Sequence, residues 1–444
     1  MKKFELLFYI SVCVGIFINN SSYAIISGMF ENVTGFWSLI ALGIAGMLCI
    51  VIADAIACLA YKYPSAPGIR TYLKKAFPNR VSLFFVYLYI FFLLIAGAVE
   101  SSVFGNIYRL IFPGADPVFI FSSMIFLIVV VNLYGLRLSR SVQFVTTVVM
   151  CFIILFLGIY GVANGPAGRS ADFMDISNGL IYLQHLPAAV GIGFFLFVGF
   201  EWVTPLGFSK SSYEVKIPAS MPIAIIIGTL VYGIFIIGAS FTLPRTQIVN
   251  TNVYQLELAK QITFMDGRWI IVLLSSLCVI STFNAGIMGG ARLLYALGRE
   301  NKLPKVLTRI SLRNGNPYVA IITLGVLVEA LTIPVYYTGS ELVFAVAASS
   351  LMCFIYIMLM ISSMRILKGN IQSSGFTGYF SDSTKKVVIF LLAGVGMATL
   401  FSLPGKERYV LGLLCGLSAL ALGMCVYYGR EKASVTGSIQ DPVL

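Results

Sequence analysis

The chain has 444 residues, of which 59% are hydrophobic and only 11% are charged, and its formal net charge at pH 7 is +12. A soluble domain carries roughly a quarter charged residues, so this composition excludes a soluble protein and predicts a polytopic membrane protein. The positive charge does not indicate nucleic-acid binding, because the basic residues lie in short loops beside apolar segments.

Long apolar segments recur along the chain and are separated by short polar turns. A membrane-spanning helix needs about 20 apolar residues, and segments of this length favour helices over the shorter, alternating strands of a β-barrel. The sequence therefore predicts an all-α protein. Its twelve spans, numbered in chain order, are about 5–29, 35–60, 81–109, 116–137, 140–163, 187–209, 218–243, 265–297, 317–337, 340–365, 385–403 and 407–429.

The ends of the chain and the basic loops predict its orientation. The first apolar segment is too long for a signal peptide and lacks a cleavage site, so we expect it to remain as span 1. Cytoplasmic termini would place most of the 30 Lys and Arg residues in cytoplasmic segments, which predicts a multi-pass protein of the cell (inner) membrane. Residues 64–80 predict a short amphipathic piece on the cytoplasmic surface, and residues 431–444 a disordered cytoplasmic tail.

Metal, disulfide and enzyme chemistry are not indicated. The eight Cys residues all fall within predicted spans, where Cys behaves as a small apolar residue, and no CxxC pair or Cys/His cluster occurs. The single His, His185, lies at the outer end of span 6 and is interpreted as an interfacial residue. Because the spans also lack HExxH, we expect no metal, no cofactor and no enzymatic activity.

Three acidic residues fall inside predicted spans, where an Asp or Glu costs about 2.5–3.5 kcal/mol on insertion scales. Asp54 in span 2 is interpreted as a structural partner for a neighbouring helix. Glu100 in span 3 lies among small residues that allow close helix packing. For Glu100, a functional role and a merely hydrated position in an outer vestibule both remain open.

Glu201, the third, lies where the helix is also weak. In FFLFVGFEWVTPLGF (194–208), Gly199 weakens the helix and Pro205 removes a backbone hydrogen bond. Span 1 has a parallel weak point at NNSS (19–22), whose side chains compete with helical hydrogen bonds. A broken helix is tolerated in a membrane where its free backbone groups line a cavity. Two interrupted helices five spans apart predict an inverted-repeat transporter with a midplane site.

Three motifs resemble those of the amino acid–polyamine–organocation (APC) superfamily. Residues 284–317 are similar to its signature from span 8 to span 9, with R-x-x-Y-A-x-x-R-[DE]-x-x-L-P at 292–304 and Pro317 opening span 9. YPSAPG (63–68) resembles the proline-glycine loop after span 2. GFEWVTPLGFSKSSYEVKIPASMP (199–222) resembles the G-x-E of span 6, the charged loop and the I-P of span 7. The motifs occur in the superfamily's order.

The resemblance implies a LeuT-like fold of two inverted repeats of five helices each, followed by two further helices. The implied units are residues 1–163, 164–366 and 367–430, and the tail. It also implies secondary active transport of amino acids or related amines by alternating access, as an exchanger or a proton-linked permease in the lipid bilayer. A monomer and a homodimer both remain open.

Candidate site residues follow from the same resemblance. Residues 20–22 take the place of a glycine–serine–glycine motif whose amides bind the substrate carboxylate in relatives, and residues 197–199 would offer carbonyls to the amino group. Phe195 matches an aromatic gate, and Glu201 matches the span 6 Glu of antiporters in the family. The gating or coupling residues are thus Phe195, Glu201 and Glu100. The complete predicted substrate-binding set is Asn20, Ser21, Ser22, Gly97, Glu100, Phe195, Phe197, Val198, Gly199, Glu201 and Phe283.

Departures from the family pattern define the alternatives. Without glycines at 20–22, we expect a narrower site or altered carboxylate recognition. Some proton-coupled relatives carry a Lys in span 5, and the position that corresponds most closely to it here is Met150. The absence of this Lys favours exchange or facilitated uptake. Protonation of Glu201 or Glu100 stays open as a coupling route. The hydroxyl candidates for a sodium site are Ser275, Ser276, Ser281 and Thr282. The alternative function is a small-amine sensor on the same scaffold that does not transport.

Overall fold

The computed structural model describes residues 2–65, 68–134, 136–166, 173, 179–207, 211–250, 253–262, 267–313, 315–368, 378–400 and 405–428. Within these ranges the chain forms helices connected by short turns, and no strand occurs. The predicted tail at 431–444 and two positions of the YPSAPG loop, 66 and 67, lie outside the described residues.

Eleven helices of the described part are long and apolar enough to cross a membrane, and a twelfth span results when the two halves of span 1 are taken together. The predicted number of spans and the all-α class are therefore confirmed. The spans are, in order, Lys2–Phe17 with Ser21–Asn32, Phe36–Lys62, Asn79–Ile111, Pro117–Tyr134, Leu136–Asn164, Gly179–Phe194 with the 3₁₀ turns Phe195–Phe197 and Phe200–Leu206, Ile217–Thr242, Arg268–Arg299, Tyr318–Thr338, Glu341–Lys368, Asp382–Leu400 and Glu407–Tyr428.

Spans 5 and 7 cross with their backbones in close contact. A Cβ atom added to Gly238 would lie 2.2 Å from the carbonyl oxygen of Gly158, and one added to Gly161 would lie 2.8 Å from the carbonyl oxygen of Gly238. Small residues allow helices to approach this closely, which gains dispersion contacts where lipid supplies no hydrophobic driving force between helices. Span 7 also packs along span 2, while Ile226 and Leu230 on another face of the helix are exposed.

We expect Gly238→Ala to destabilise the protein, because the new methyl group meets backbone atoms that cannot rotate away. Overpacking of this kind costs about 1–3 kcal/mol. Gly233→Ala in the same helix is a matched control, since its Cβ would lie 3.9 Å from the nearest atom, in the Leu39 side chain. The apparent melting temperature of the purified protein in detergent should fall for Gly238→Ala and not for Gly233→Ala. Equal melting temperatures would contradict the close crossing.

The predicted amphipathic piece forms the helix Ile69–Ala76, which packs on one end of the bundle. Its Arg70 side chain is 1% exposed and bonds to the Glu300 carboxylate over 2.7 and 3.0 Å. Glu300 belongs to the span 8 motif, and Arg70 lies two residues after YPSAPG (63–68), so this ion pair connects the span 8 motif to the helix that follows the second motif. We call the end of the bundle that carries Ile69–Ala76 and the 300–317 loop the basic face.

Asp54 connects span 2 to the start of span 11. Its carboxylate accepts backbone N–H bonds from Tyr379 at 2.8 Å and from Phe380 at 3.4 Å, and lies 3.9 Å from the Lys385 ammonium. This geometry agrees with the interpretation of Asp54 as a structural partner for a neighbouring helix. Charged groups at this depth are tolerated because they pair with one another and with the backbone.

Candidate functional site

Span 1 breaks at the NNSS segment because its side chains bond to nearby backbone. The two helical halves meet at an angle of 57°. The Asn19 side-chain oxygen accepts the backbone N–H of Ser22 at 2.9 Å and the Ser21 hydroxyl at 2.8 Å. The carbonyl of Phe17, released by the break, accepts the hydroxyls of Ser22 and of Tyr232 from span 7. Local side-chain bonds thus replace the helical ladder, as expected for adjacent Asn and Ser residues.

Glu100 of span 3 caps the N-terminus of the second half of span 1. One carboxylate oxygen accepts the backbone N–H of Asn20 at 2.8 Å and its side-chain amide at 2.9 Å. The other accepts the backbone N–H of Ser21 at 3.1 Å, while the Ser21 hydroxyl, 3.3 Å away, directs its single proton to Asn19 at the shorter distance of 2.8 Å. The positive end of the helix dipole and the free N–H groups stabilise a negative charge at this position. The structure therefore places Glu100 in a buried position at the break of span 1 and not in a hydrated vestibule.

Span 6 breaks at Val198 and Gly199. Val198 is extended (φ −66°, ψ 135°), and Gly199 has φ of +113°, a value that side chains with a Cβ rarely adopt. A Cβ atom on Gly199 would also lie 2.3 Å from the Ile16 side chain of span 1. Glycine is thus required both by the backbone conformation and by the contact between the two broken spans.

The carboxylate of Glu201 braces this break. It is 0% exposed and accepts hydrogen bonds from the hydroxyls of Tyr89 in span 3 at 3.1 Å and Tyr356 in span 10 at 2.5 Å. The Tyr356 oxygen accepts in turn the backbone N–H of Gly199 at 3.2 Å. Glu201 is therefore the centre of a network that connects the unwound turn to two other spans.

A small cavity of about 30 Å³ lies between the two breaks. This volume has room for about two water molecules and is too small for an amino acid, so a substrate can enter only if the surrounding spans move apart. Its lining comes from spans 1, 3, 6, 8 and 10, and the participation of span 10 was not predicted. The lining residues are Ile16, Asn19, Ser21, Phe92, Ala96, Val99, Glu100, Phe195, Val198, Trp202, Thr282, Ala345 and Ala348.

Trp202 separates this cavity from a second one nearer the basic face. The second cavity measures about 10 Å³ and is also lined by Glu201, Tyr89 and Ile69. Trp202 lines both cavities, and its ring packs edge-on against Phe92, with centroids 6.3 Å apart. Sequence reasoning missed Trp202, although its position directly after Glu201 in a broken helix was a usable signal. The alanines of span 10 offered no such signal.

Only part of the predicted site set faces the central cavity. Ser21, Glu100, Phe195 and Val198 line it. The other predicted residues are held in packing or hydrogen bonds around it. Asn20 bonds to Glu100 of span 3 and Ser22 to Tyr232 of span 7. Gly97 packs against Val328 and Phe283, Phe197 packs edge-on against Phe17, Gly199 contacts Ile16, and Glu201 lines the second cavity.

Of the hydroxyl candidates for a sodium site, Ser276, Ser281 and Thr282 have partners within the protein, whereas the buried hydroxyl of Ser275 has none among the described residues. Ser276 bonds to Tyr108 at 2.7 Å, and Ser281 accepts the side-chain amide of Gln143 at 2.8 Å. Gln143, in span 5, also donates to the carbonyl of Ser11 at 3.3 Å. By resemblance, Met150 in span 5 takes the position of the Lys found in some proton-coupled relatives. In the structure, Gln143, seven residues earlier, makes the polar contact with spans 1 and 8.

Comparison with known proteins identifies a family over most of the chain. The sequence model of a family described as amino acid permease matches residues 5–405. The chain is 25% identical over 279 residues to the uncharacterized amino acid permease YecA of Bacillus subtilis (strain 168), covering 61% of this chain and 63% of YecA. It is 23% identical over 355 residues to the human cystine/glutamate transporter, covering 76% of this chain and 68% of that protein. The human b(0,+)-type amino acid transporter 1 is 25% identical over 221 residues, 48% of this chain and 44% of the relative.

Among solved structures, the manganese transporter of Eremococcus coleocola has a similar fold. The TM-score is 0.57 at 15% identity, and the match covers 95% of this chain and 94% of that chain. At this identity the likeness concerns the fold alone. The predicted class, a LeuT-like membrane protein with two further helices at its C-terminal end, is confirmed.

Proposed function

The chain belongs to the amino acid permease family, and from this premise we propose that it is a secondary active transporter of amino acids or related amines. Transport proceeds by alternating access, as exchange or as proton-linked uptake. The observation that carries the proposal is the pair of broken spans, 1 and 6, whose unwound turns face one small cavity. Broken helices aim free backbone groups at a midplane substrate, and this is their known use in transporters.

The small cavity and the contacts at the basic face fit one state of such a cycle. The bond between Arg70 and Glu300 holds the helix Ile69–Ala76 against the end of span 8. The Tyr87 hydroxyl of span 3 also donates to the carbonyl of Lys302, at 2.8 Å. We propose that these contacts break when the site opens towards the basic face, as the repeats 1–163 and 164–366 move relative to each other.

We assign the basic face to the cytoplasm and the protein to the cell (inner) membrane. The exposed side chains of Lys74 and Lys305 lie on this face, as the positive-inside rule requires of cytoplasmic loops. Both termini then lie in the cytoplasm. The match to an amino acid permease family and to the human transporters supports a substrate related to amino acids.

The test is flux through the purified full chain in proteoliposomes. Vesicles loaded with unlabelled amino acids and amines should take up the labelled compounds faster than vesicles without protein. Binding without flux would overturn the transport proposal and would favour a sensor. Uptake that depends on internal substrate would identify exchange, whereas uptake driven by an imposed proton gradient would identify a proton-linked permease.

We expect uptake to be independent of sodium. The hydroxyl of Ser281 and the carbonyl of Ser11 already accept the amide of Gln143, and the hydroxyl of Thr147 also donates to the Ser11 carbonyl, at 3.0 Å. A cation at this place would face an N–H donor instead of oxygen ligands, which Na⁺ does not tolerate. Replacing external Na⁺ with K⁺ should leave the initial rate unchanged. A fall to about a tenth, equal to roughly 1.4 kcal/mol, would contradict this assignment.

A further inference from the structure

The free backbone N–H groups of the span 1 break are all taken by acceptors of the protein itself. The N–H of Asn19 bonds to the Ser22 hydroxyl at 3.3 Å, and that of Ser22 to the Asn19 side-chain oxygen at 2.9 Å. The N–H groups of Asn20 and Ser21 both bond to Glu100. Over residues 19–22, no backbone donor is left for a carboxylate from outside.

Glu100 thus occupies the place that an anionic ligand would take at this helix end. Its carboxylate accepts three N–H hydrogen bonds, and two of them come from the backbone at the start of the helix Ser21–Asn32. A ligand carboxylate could use the same N–H groups only by displacing Glu100, which is 1% exposed. It would also lie beside a second negative charge in a medium of low dielectric constant. The resemblance implied that residues 20–22 bind a substrate carboxylate, and this geometry speaks against it.

The charge of the cavity favours a cation. Glu100 is the one formally charged group among the described residues that line it. No described Lys, Arg or His lies within 4.0 Å of this carboxylate. The N-terminus of the helix Ser21–Asn32 supplies only about half a positive charge, so an ammonium group would complete the neutralisation of this carboxylate. The neighbouring lining residues Phe92, Phe195 and Trp202 present aromatic rings, which attract ammonium groups and pack against an apolar body.

We propose that the substrate is an organic amine without a carboxylate group, such as the product of an amino-acid decarboxylation. This inference rests on the proposed transport function and concerns the same site. The ammonium group of the substrate neutralises Glu100, and its carbon chain lies among the aromatic rings. A zwitterionic amino acid would bring a carboxylate into a cavity whose described lining contains no positive group to receive it.

Matched pairs of probes test the proposal. The pairs are phenylalanine with phenethylamine, leucine with isopentylamine, lysine with cadaverine, and arginine with agmatine. The purified full chain is titrated with each probe, and the melting temperature is recorded, because a ligand of the folded state raises it. We expect at least one amine to bind about tenfold more tightly, or better, than its parent amino acid. The proposal is overturned if no amine raises the melting temperature, or if the amino acid binds at least as tightly in every pair.

Variants of Glu100 separate this role from a general effect of charge. Glu100→Gln should lose the preference for the amine. Glu100→Ala should in addition gain affinity for the parent amino acid, because it releases the N–H groups of Asn20 and Ser21. The matched control is Glu341→Gln, which neutralises a carboxylate bonded to Ser102 and Asn106 of span 3, both at 2.8 Å, outside the cavity lining. The control should keep the preference, and an equal loss in both Gln variants would overturn the proposal.

Flux measurements distinguish a failure of this inference from a failure of the proposed function. Amine binding without amine flux would overturn transport and leave the specificity intact. Flux of amino acids with exclusion of the matched amines would overturn the specificity and leave transport intact. If flux of the amine is abolished in Glu100→Gln and kept in Glu341→Gln, this result would support both the transport function and the specificity for amines.

Discussion

Replacing Glu201 with Ala is expected to abolish transport while the protein still inserts into the membrane. The substitution leaves the hydroxyls of Tyr89 and Tyr356 without their acceptor in a fully buried position. Breaking such a buried network costs about 1–3 kcal/mol for each unsatisfied group. The unwound turn at Gly199, which Tyr356 also holds, then loses its fixed position. Uptake in proteoliposomes should fall by at least tenfold, equal to about 1.4 kcal/mol.

Two further variants show whether Glu201 acts by bracing the turn. Tyr356→Phe removes the bonds to both Glu201 and Gly199, and should lower uptake more than Tyr89→Phe, which removes one bond to Glu201. Glu201→Gln keeps a side-chain oxygen as acceptor and should retain part of the activity. Unchanged flux in Glu201→Ala would remove this residue from the mechanism. A complete loss in Glu201→Gln, with full activity in both Tyr variants, would point to a role of the charge instead.

Gly199→Ala should also cause a large loss of transport. The residue has φ of +113°, and a Cβ would lie 2.3 Å from the Ile16 side chain. A strained backbone of this kind costs about 1–3 kcal/mol. If the chain relaxes to remove this strain, the turn that forms the site is rewound or displaced. We expect uptake to fall by about tenfold or more, while expression and membrane insertion are kept.

The control for Gly199→Ala is Gly43→Ala in span 2, where no atom lies within 4 Å of the added methyl group. Its uptake should equal that of the unmodified protein. The double variant Gly199→Ala/Ile16→Ala relieves the steric contact but not the backbone strain, so it should recover only part of the loss. Full activity of Gly199→Ala alone would mean that the unwound turn tolerates an ordinary residue and is not required as described.

The two breaks are stabilised by two different carboxylates. Glu100 bonds to the N–H groups at the start of the second half of span 1, whereas Glu201 is held by tyrosines beside the unwound turn of span 6. Of the two, only Glu100 lines the central cavity, and Glu201 lies on the side of Trp202 that faces the basic face. We therefore propose that Glu100 recognises the substrate, whereas Glu201 stabilises the shape of the span 6 break.

The family-like motifs have identifiable physical tasks at the basic face. Arg292 of the span 8 motif donates to the carbonyl of Pro205 at 2.5 Å, at the end of the 3₁₀ turn of span 6. Glu300 of the same motif bonds to Arg70. Backbone carbonyls at a helix end need such donors, particularly where water is scarce. Arg292 and Glu300 of the span 8 motif therefore stabilise the ends of the broken and connecting helices.

The amino-acid sequence by itself determined the membrane class, the number of spans and the places where two of them break. These properties depend on local chemistry, since the free energy of inserting a segment is set largely by its own residues. Gly199 and the NNSS segment likewise weaken a helix through their own backbone and side-chain preferences. The position of Glu100 on span 3 was visible in the sequence, but its partner was not.

Only the tertiary structure decided which groups meet. Glu100 and Asn20 are 80 residues apart in the chain, and Glu201 and Tyr356 are 155 residues apart. Their contacts depend on how four different spans pack, and that packing includes close approaches such as the one between Gly199 of span 6 and Ile16 of span 1. A lone carboxylate in an apolar segment shows that a partner must exist. That the partner of Glu100 is the start of a broken helix follows from the packing of distant spans, which no local pattern of residues encodes.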